Sequence, residues 1–412
     1  MNIAYFVPLY PSVSLTFVAR EIRQLERLKN QIIVFAYDQA DEDLFHPEFV
    51  DIQAKVIYRP PLARWQIIKV IWANISVAIK NPKGYLKAFR WLNEFSTKKN
   101  IAKLGLFLQI GYFSYLMRQL SIERIHVHFA IDWAVTAMLT SWIADLPFSI
   151  TTHGADILAN PQPNILPHLF SQTNLLVTIS KYNQEFLLDS FSNILQPERV
   201  VVVHCGVDIN NFCFRSYRKP TDDFSIVTVA RLVEKKGHAI LIEALDLLKQ
   251  QGFKFSWIVV GRGPMSSLLE EMVKAKNLED RTKFLGAAVR DEIQDVLRNA
   301  DLAVLPCVPT AKGDIDGIPV TLMEAMAMGV PVISTNISGI PELITHEESG
   351  WLVPPNDSKA LADRLRQVIE EQPNIQQIVL KAREKIETDF NIEIEATRLL
   401  SFFQDGHLTE NS

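Results

Sequence analysis

The chain has 412 residues, 48% of them apolar and 22% charged, with a net charge of −5 at pH 7. That composition excludes disordered, collagen-like and disulfide-scaffold proteins, and the length leads us to expect two domains whose cores need no covalent staples. Cys205, Cys213 and Cys307 form no CxxC pair and lack zinc-type spacing, so neither bridges nor a metal framework is expected and a reducing cytoplasm suits the chain.

The amino terminus opens on a strand-like run, NIAYFV at 2–7, without the basic and apolar regions of a secretory signal, so export is not expected. Pro8 to Phe17 follow without a glycine, which argues against NAD on the first domain. QIIVFAY at 31–37 reads as the next strand. Residues 59–118 then carry eleven Lys or Arg against Glu94 alone. The stretch is +10, while the rest of the chain, with 31 basic and 46 acidic residues, is −15. It also holds Trp65, Trp72 and Trp91 among many Ile, Leu and Phe residues. Two readings stand: helices lying on an anionic membrane surface, peripheral on the inner face of the plasma membrane, or ordinary helices with solvated basic faces. The longest uncharged apolar run, Leu104 to Met117, is shorter than the roughly 20 residues that a spanning helix needs. Nucleic acid is not an expected partner of a chain that is acidic overall.

Further β-rich runs lie at 124–130, 147–152, 175–180 and 200–205, and a second series at 224–230, 255–261, 283–286, 302–306, 331–335 and 351–354. Alternating with amphipathic segments, they form the pattern of βα units feeding parallel sheets. A polar, turn-rich stretch at 206–222 separates the two series. We expect an α/β protein of two doubly wound, Rossmann-like domains facing a central cleft, the first at 1–205 and the second at 206–387. A last helix at 388–405 keeps Ile392, Ala396, Leu399, Leu400 and Phe403 on one face, suited to packing back on the first domain.

Open parallel sheets bind ligands beyond the carboxyl ends of their strands, so the loops there hold the candidate residues. His153 follows the run at 147–152 in THGAD and is either a cleft imidazole or a satisfied structural residue. His126 and His128 alternate on one strand and share a face; His126 reads as structural. Arg231 and Lys236, in ARLVEKKG after the run at 224–230, have the charge and reach of diphosphate ligands, and the competing reading is a solvated basic loop. Gly261 and Gly263, in VGRGP, form an incomplete GxGxxG, because Ser266 stands at the third glycine.

After LAVLP at 302–306 comes a loop with Asp314, Asp316, Gly317, Ile318 and Pro319, then a short helix from Val320 closed by Gly329. Proline at its start and glycine beyond its end punctuate it, and its first N–H groups suit a diphosphate. Glu324 sits on this helix among Met323, Ala325, Met326 and Ala327, so its carboxylate needs a partner. With Asp316 it can accept from different hydroxyls of one extended ligand, or it can sit in an ion pair.

Taken in order, these motifs resemble the family 4 retaining glycosyltransferases of the GT-B fold over essentially the whole chain. The anchor is Asp316-x7-Glu324 in DGIPVTLMEAMAMGVPVISTNISGIPELI, supported by ARLVEKKG, VGRGP, ADLAVLP and THGAD. The family has Glu-x7-Glu, so Asp316 is shorter by one methylene. The resemblance implies catalytic roles for His153, Asp316, Arg231 and Lys236. It implies donor binding by Arg231, Lys236, Gly263, Gly317, Ile318, Pro319, Val320 and Glu324, with Asp316 on sugar hydroxyls and Glu324 on the ribose. A narrower likeness is to exopolysaccharide transferases of the colanic-acid type, carried by Tyr10-Pro11-Ser12-Val13-Ser14-Leu15-Thr16-Phe17 and by IHVHFA, with Leu15 in place of an acidic residue.

The implied reaction moves a hexose from a UDP- or GDP-sugar to a glycan or lipid-linked oligosaccharide acceptor with retention, without a cofactor and without a metal. Asp314-Ile-Asp316 is formally a metal-binding DxD, which would suit a GT-A-type enzyme instead. A sugar-nucleotide epimerase would use the same nucleotide pocket and need no acceptor. A non-catalytic peripheral membrane protein would account for the basic stretch alone.

Overall fold

The computed structural model describes all residues except 13–14, 40–48, 50, 61–64, 96–99, 160, 218–223, 372–373 and 406–412. Val13 and Ser14 of the amino-terminal motif, residues 218–223 of the expected linker and the Trp65 side chain lie outside the described residues.

Seven strands, β1 (Asn2–Leu9), β2 (Gln31–Asp38), β3 (Lys55–Tyr58), β4 (Arg124–His128), β5 (Phe148–Thr152), β6 (Leu175–Thr178) and β7 (Val200–Val202), form one sheet in the order β3-β2-β1-β4-β5-β6-β7. Six more, β8 (Phe224–Val229), β9 (Phe255–Val260), β10 (Thr282–Gly286), β11 (Leu302–Leu305), β12 (Val332–Thr335) and β13 (Trp351–Val353), form the second in the order β10-β9-β8-β11-β12-β13. The paired neighbours in both sheets run parallel. Each of the twelve β-rich runs contains a strand; β3, a half-exposed edge strand of four residues, is the addition.

β1 and β2 are apolar on both faces because both faces are covered. On β1 and β2, Ala4, Phe6, Ile33 and Phe35 join one core, while Ile3, Tyr5, Val7, Ile32 and Val34 join another on the opposite side. The first sheet carries α1 (Thr16–Arg27), α2 (Trp65–Lys80), α3 (Pro82–Phe95), α4 (Asn100–Gln119), α5 (Asp132–Ala144), α6 (Leu166–Gln172) and α7 (Lys181–Ser190). With the second go α8 (His238–Gln250), α9 (Ser266–Ala275), α10 (Arg290–Asn299), α11 (Val320–Ala327), α12 (Ile340–Leu343), α13 (Ser358–Glu371) and α14 (Ile375–Asp389). The last helix, α15 (Ile392–Asp405), lies on α1, its Ala396, Leu399 and Phe403 buried in the core that holds Tyr5, Val18 and Ile22.

Strand order reverses between β1 and β4 in one sheet and between β8 and β11 in the other. Such reversals open crevices at the carboxyl ends of the strands. The halves are also tied across the cleft. Glu342 of α12 accepts from the backbone N–H groups of Lys181 (2.9 Å) and Tyr182 (3.1 Å) at the start of α7, a carboxylate on a helix N-terminus.

Candidate active site

The loop after β8 is held from below by backbone packing. A Cβ on Gly263 would fall on the carbonyl of Leu232, so glycine there lets the VGRGP turn lie directly against the Arg231–Lys236 loop. Gly263 thus shapes the basic loop. Arg231 is exposed, whereas Lys235 and Lys236 turn inward. Lys236 Nζ pairs with Asp316 Oδ2, and Lys235 Nζ lies 2.9 Å from Asp314 Oδ1 and 3.9 Å from Asp316 Oδ1. Burial pushes the Asp316 carboxyl up, but Lys236, then Lys235 and Arg231, outweigh it and hold the group below its usual range. Burial likewise works against the Lys236 ammonium, and Asp316 reverses it, leaving the lysine above its usual value. Three cations and two carboxylates therefore form one coupled cluster at the crevice between β8 and β11.

Pro319 caps α11 with an extended backbone, and its carbonyl takes the N–H of Leu322 at 3.1 Å. Among the described residues no hydrogen bond engages the N–H groups of Val320 and Thr321, which are the donors a helix start offers to an anion. Further along α11, Glu324 is buried and its Oε1 lies 2.8 Å from Nη2 of Arg20 on α1. The ion pair considered for Glu324 is therefore realised in this state, with a partner from the other half of the molecule.

His153 closes the site from the first sheet. Its backbone N–H donates to Asp156 Oδ1 at 2.9 Å, and Oδ2 of the same carboxylate accepts from Ala130 N at 2.8 Å, so Asp156 of THGAD staples the loops after β4 and β5. The imidazole lies between Phe17 and Phe129, with ring centroids 4.7 and 4.4 Å away. Phe129 holds a left-handed backbone (φ 71°), a conformation that an aromatic residue adopts at some cost. His153 Nε2 is 3.0 Å from His128 Nδ1, and His128 Nε2 is 3.2 Å from Glu21 Oε1. Burial, then the neighbouring His128, pushes His153 well below the usual histidine range. His126, fully buried, has both ring nitrogens engaged, by Ser149 Oγ at 2.9 Å and Thr151 Oγ1 at 3.0 Å. Gly317 brings the two halves together: a Cβ there would lie 3.0 Å from Ile179 Cδ1 and 3.8 Å from the His153 carbonyl. The Asp316–Val320 segment thus packs closely on Ile179 and the His153 backbone of the first half, with little room for a side chain at Gly317.

Residues 88–211 match the family described as Glycosyltransferase Family 4, and residues 210–385 match Glycosyl transferases group 1. The chain is 38% identical over 415 residues to the amylovoran biosynthesis glycosyltransferase AmsK of Erwinia amylovora, an alignment covering 98% of this chain and 99% of that protein. The chain belongs to the family 4 glycosyltransferases. It is 31% identical to the putative colanic acid biosynthesis glycosyltransferase WcaL of Salmonella typhimurium, over 98% of this chain and all of the relative. Among solved structures, a glycosyltransferase of Rickettsia africae superposes with a TM-score of 0.75 at 16% identity, covering 100% of this chain and 99% of that one. Anabaena HepE, solved in complex with UDP, superposes at 0.71 and 18% identity, covering 98% and 100%. The fold is GT-B, and the enzyme is a glycosyltransferase.

On the other side of the first sheet of this glycosyltransferase, a cavity of about 600 Å³ opens beyond the ends of β1 and β2, walled by Leu9, Tyr37, Trp91, Phe95, Trp133 and Ile165. α2, which packs on α4, turns Ile68, Ile71, Trp72, Ile75 and Ile79 outward; Trp72 is 59% and Ile79 75% exposed. Leu86 and Phe89 of α3 and Leu104 of α4 are exposed as well. Trp91 instead stacks on Phe95 at 5.1 Å and is half-buried, so of the two described tryptophans in the basic stretch Trp72 is the exposed one. Among the described residues no helix is long and apolar enough to cross a membrane.

Sequence reasoning missed Arg20, Glu21, His128 and Lys235 in the site. Lys235 had a signal, its place beside Lys236 at a strand end. His128 was read only for the face it shares with His126. Arg20 and Glu21 had the weaker signal of a charged pair in the first turns of a helix that follows a cleft strand.

Proposed function

We propose that this glycosyltransferase acts in exopolysaccharide biosynthesis and moves a hexose from a UDP- or GDP-sugar to a lipid-linked glycan, with retention and without a divalent metal. The observation that carries the reading is the gathering of Arg231, Lys236, Asp316 and the start of α11 at the crevice between β8 and β11, with Gly317 packed against Ile179 and the His153 backbone of the first half. In the reaction, the bond from the anomeric carbon to the β-phosphate oxygen breaks and a bond to the acceptor hydroxyl oxygen forms on the same face. The acceptor proton passes to the departing phosphate oxygen. Negative charge grows on that phosphate, and Arg231, Lys236 and the N–H groups of Val320 and Thr321 stabilise it.

Donor binding exchanges one partner of Lys236 for another. As the ammonium moves to phosphate, Asp316 becomes free to accept from the sugar hydroxyls. Arg20 orients Glu324 by holding Oε1, leaving Oε2 for a ribose hydroxyl. Metal independence is supported by the pairing of both carboxylates of the DxD triplet with lysines, which supply the charge that a divalent ion would otherwise bring. The relatives named for amylovoran and colanic acid synthesis support the pathway class. The apolar cavity and the outward isoleucines of α2, amid the basic residues of 59–118, support an acceptor carried on an anionic membrane.

A panel of UDP-, GDP- and ADP-sugars in a thermal-shift assay tests the donor, because a ligand held only by the folded state raises Tm. Incubation of the stabilising sugar nucleotide with membrane lipid extract, followed by NMR of the anomeric proton of the product, tests retention. Stabilisation by none of the sugar nucleotides, or an inverted anomer, overturns the reading.

A further inference from the structure

Behind His153 runs a line of buried polar groups that the transfer reaction as described does not use. Tyr5 Oη donates to Glu21 Oε1 at 2.6 Å, the same oxygen lies 3.2 Å from His128 Nε2, and His128 Nδ1 lies 3.0 Å from His153 Nε2. Tyr5 and His128 are buried, and the Glu21 side chain is 13% exposed. The four groups come from β1, α1, β4 and the loop after β5, so the arrangement is tertiary and not the accident of one local turn.

The direction of each hydrogen bond follows from what each group can do. A carboxylate only accepts, so Glu21 requires the proton on His128 Nε2. With a single ring proton, His128 presents a lone pair at Nδ1, and the short contact with His153 then places the proton on His153 Nε2, whereas a second proton on His128 would reverse that bond. That leaves the lone pair of His153 on Nδ1, which has no hydrogen-bond partner among the described residues. Tyr5, whose hydroxyl is held protonated by burial and then by Glu21, fixes the carboxylate from the far end.

We propose that Glu21 and His128 are positioning residues that fix His153 in its Nε2–H tautomer, so that Nδ1 accepts a hydrogen bond from a hydroxyl of the donor sugar. This rests on the reading that His153 faces the donor. Burial keeps His153 neutral at neutral pH, as an acceptor must be. These side chains could instead form a metal site, since donor atoms of Glu21, His126 and His128 lie within 4.8 Å of one another. Every ring nitrogen of the two histidines is already hydrogen bonded, which favours the network.

Selective ¹⁵N-histidine labelling of the full chain tests the tautomer directly, with the His153 signals assigned by their loss in His153→Asn. The proposal expects a protonated Nε2 and an unprotonated Nδ1 at neutral pH in the unmodified protein. The reverse pattern, or stoichiometric zinc in the purified protein, overturns it whatever the activity data show. Glu21→Met removes the acceptor that sets the direction of the chain, so His153 should become a mixture of tautomers. Turnover should fall about tenfold, the scale of one hydrogen bond, with UDP affinity unchanged. A Glu21→Met protein with the wild-type tautomer overturns the role of Glu21. Full activity of His153→Asn would instead sink the reading of His153 as a donor contact, and the NMR result on the unmodified chain would still stand.

Discussion

Arg20 Nη2 lies 2.8 Å from Glu324 Oε1, a buried ion pair between residues 304 positions apart that joins α1 of the first half to α11 of the second. Removing one partner of such a pair leaves an uncompensated buried charge, at a cost of about 3 kcal/mol or more. Arg20→Met should therefore lower Tm, and adding Glu324→Gln should recover most of the loss by removing the stranded carboxylate. Calorimetry of the two single variants and the double variant measures the coupling. Additive losses would mean that the pair contributes nothing as a pair.

The same carboxylate separates two binding roles. Glu324→Gln should weaken binding of free nucleoside diphosphate and of sugar nucleotide alike, by about tenfold, since the ribose is common to both and one charged hydrogen bond is at stake. Asp316→Asn should weaken only the sugar nucleotide. Titration calorimetry with the two ligands decides; equal losses for both variants would contradict the division.

Leaving-group charge is greatest in the transition state, so Arg231→Ala and Lys236→Ala should each lower kcat by about 100-fold with a smaller rise in KM. Lys236→Ala carries a second signature. Without the ammonium, Asp316 loses the strongest of the three cations that oppose burial, keeping only Lys235 and Arg231, so its carboxyl moves upward from the depressed position it holds beside Lys236. The acid limb of donor binding should accordingly move to higher pH in the variant. Normal turnover in both variants would remove the diphosphate assignment.

How much of this was legible in the sequence depends on whether the partner was local. Twelve strands announced themselves through runs rich in β-branched and aromatic residues, most of them largely buried. β3, the four-residue KVIY at the half-exposed edge of the first sheet, did not. Arg231, Lys236 and Asp316 were readable from strand-end position and spacing. Glu21 and Arg20 were not, because what gives them meaning, His128 at 107 positions and Glu324 at 304, is brought to them only by the fold. The outward face of α2 was equally hidden: a helix with Val70, Ala73 and Val77 buried and Ile68, Ile71 and Ile75 exposed is apolar all round, so periodicity alone does not say which side meets solvent.

Activity should survive excess EDTA. Before the donor binds, Asp314 and Asp316 are paired with Lys235 and Lys236, and with the donor bound these cations and Arg231 would supply the electrostatic stabilisation that a metal would add. Transfer is assayed after dialysis against EDTA and again after adding Mg²⁺ or Mn²⁺. Loss with rescue would assign the DxD triplet to a metal.

The basic stretch should bring the enzyme to anionic membranes. Ile68, Ile71, Trp72, Ile75 and Ile79 form one exposed stripe on α2, and residues 59–118 add eleven cations against one acid. Apolar insertion and charge then act together, each Lys or Arg near the surface contributing about 1 kcal/mol at most. Only part of the charge can face the bilayer, so binding should be reversible and should weaken as salt shortens the Debye length. Flotation with neutral and anionic vesicles, at low and high salt, measures this. Trp72→Glu and Ile75→Glu, both on the exposed stripe and away from the donor crevice, should reduce recovery on anionic vesicles while leaving UDP-sugar binding intact. Equal recovery with neutral and anionic vesicles, or none with either, would make the stretch a solvated face and withdraw its support for a lipid-linked acceptor.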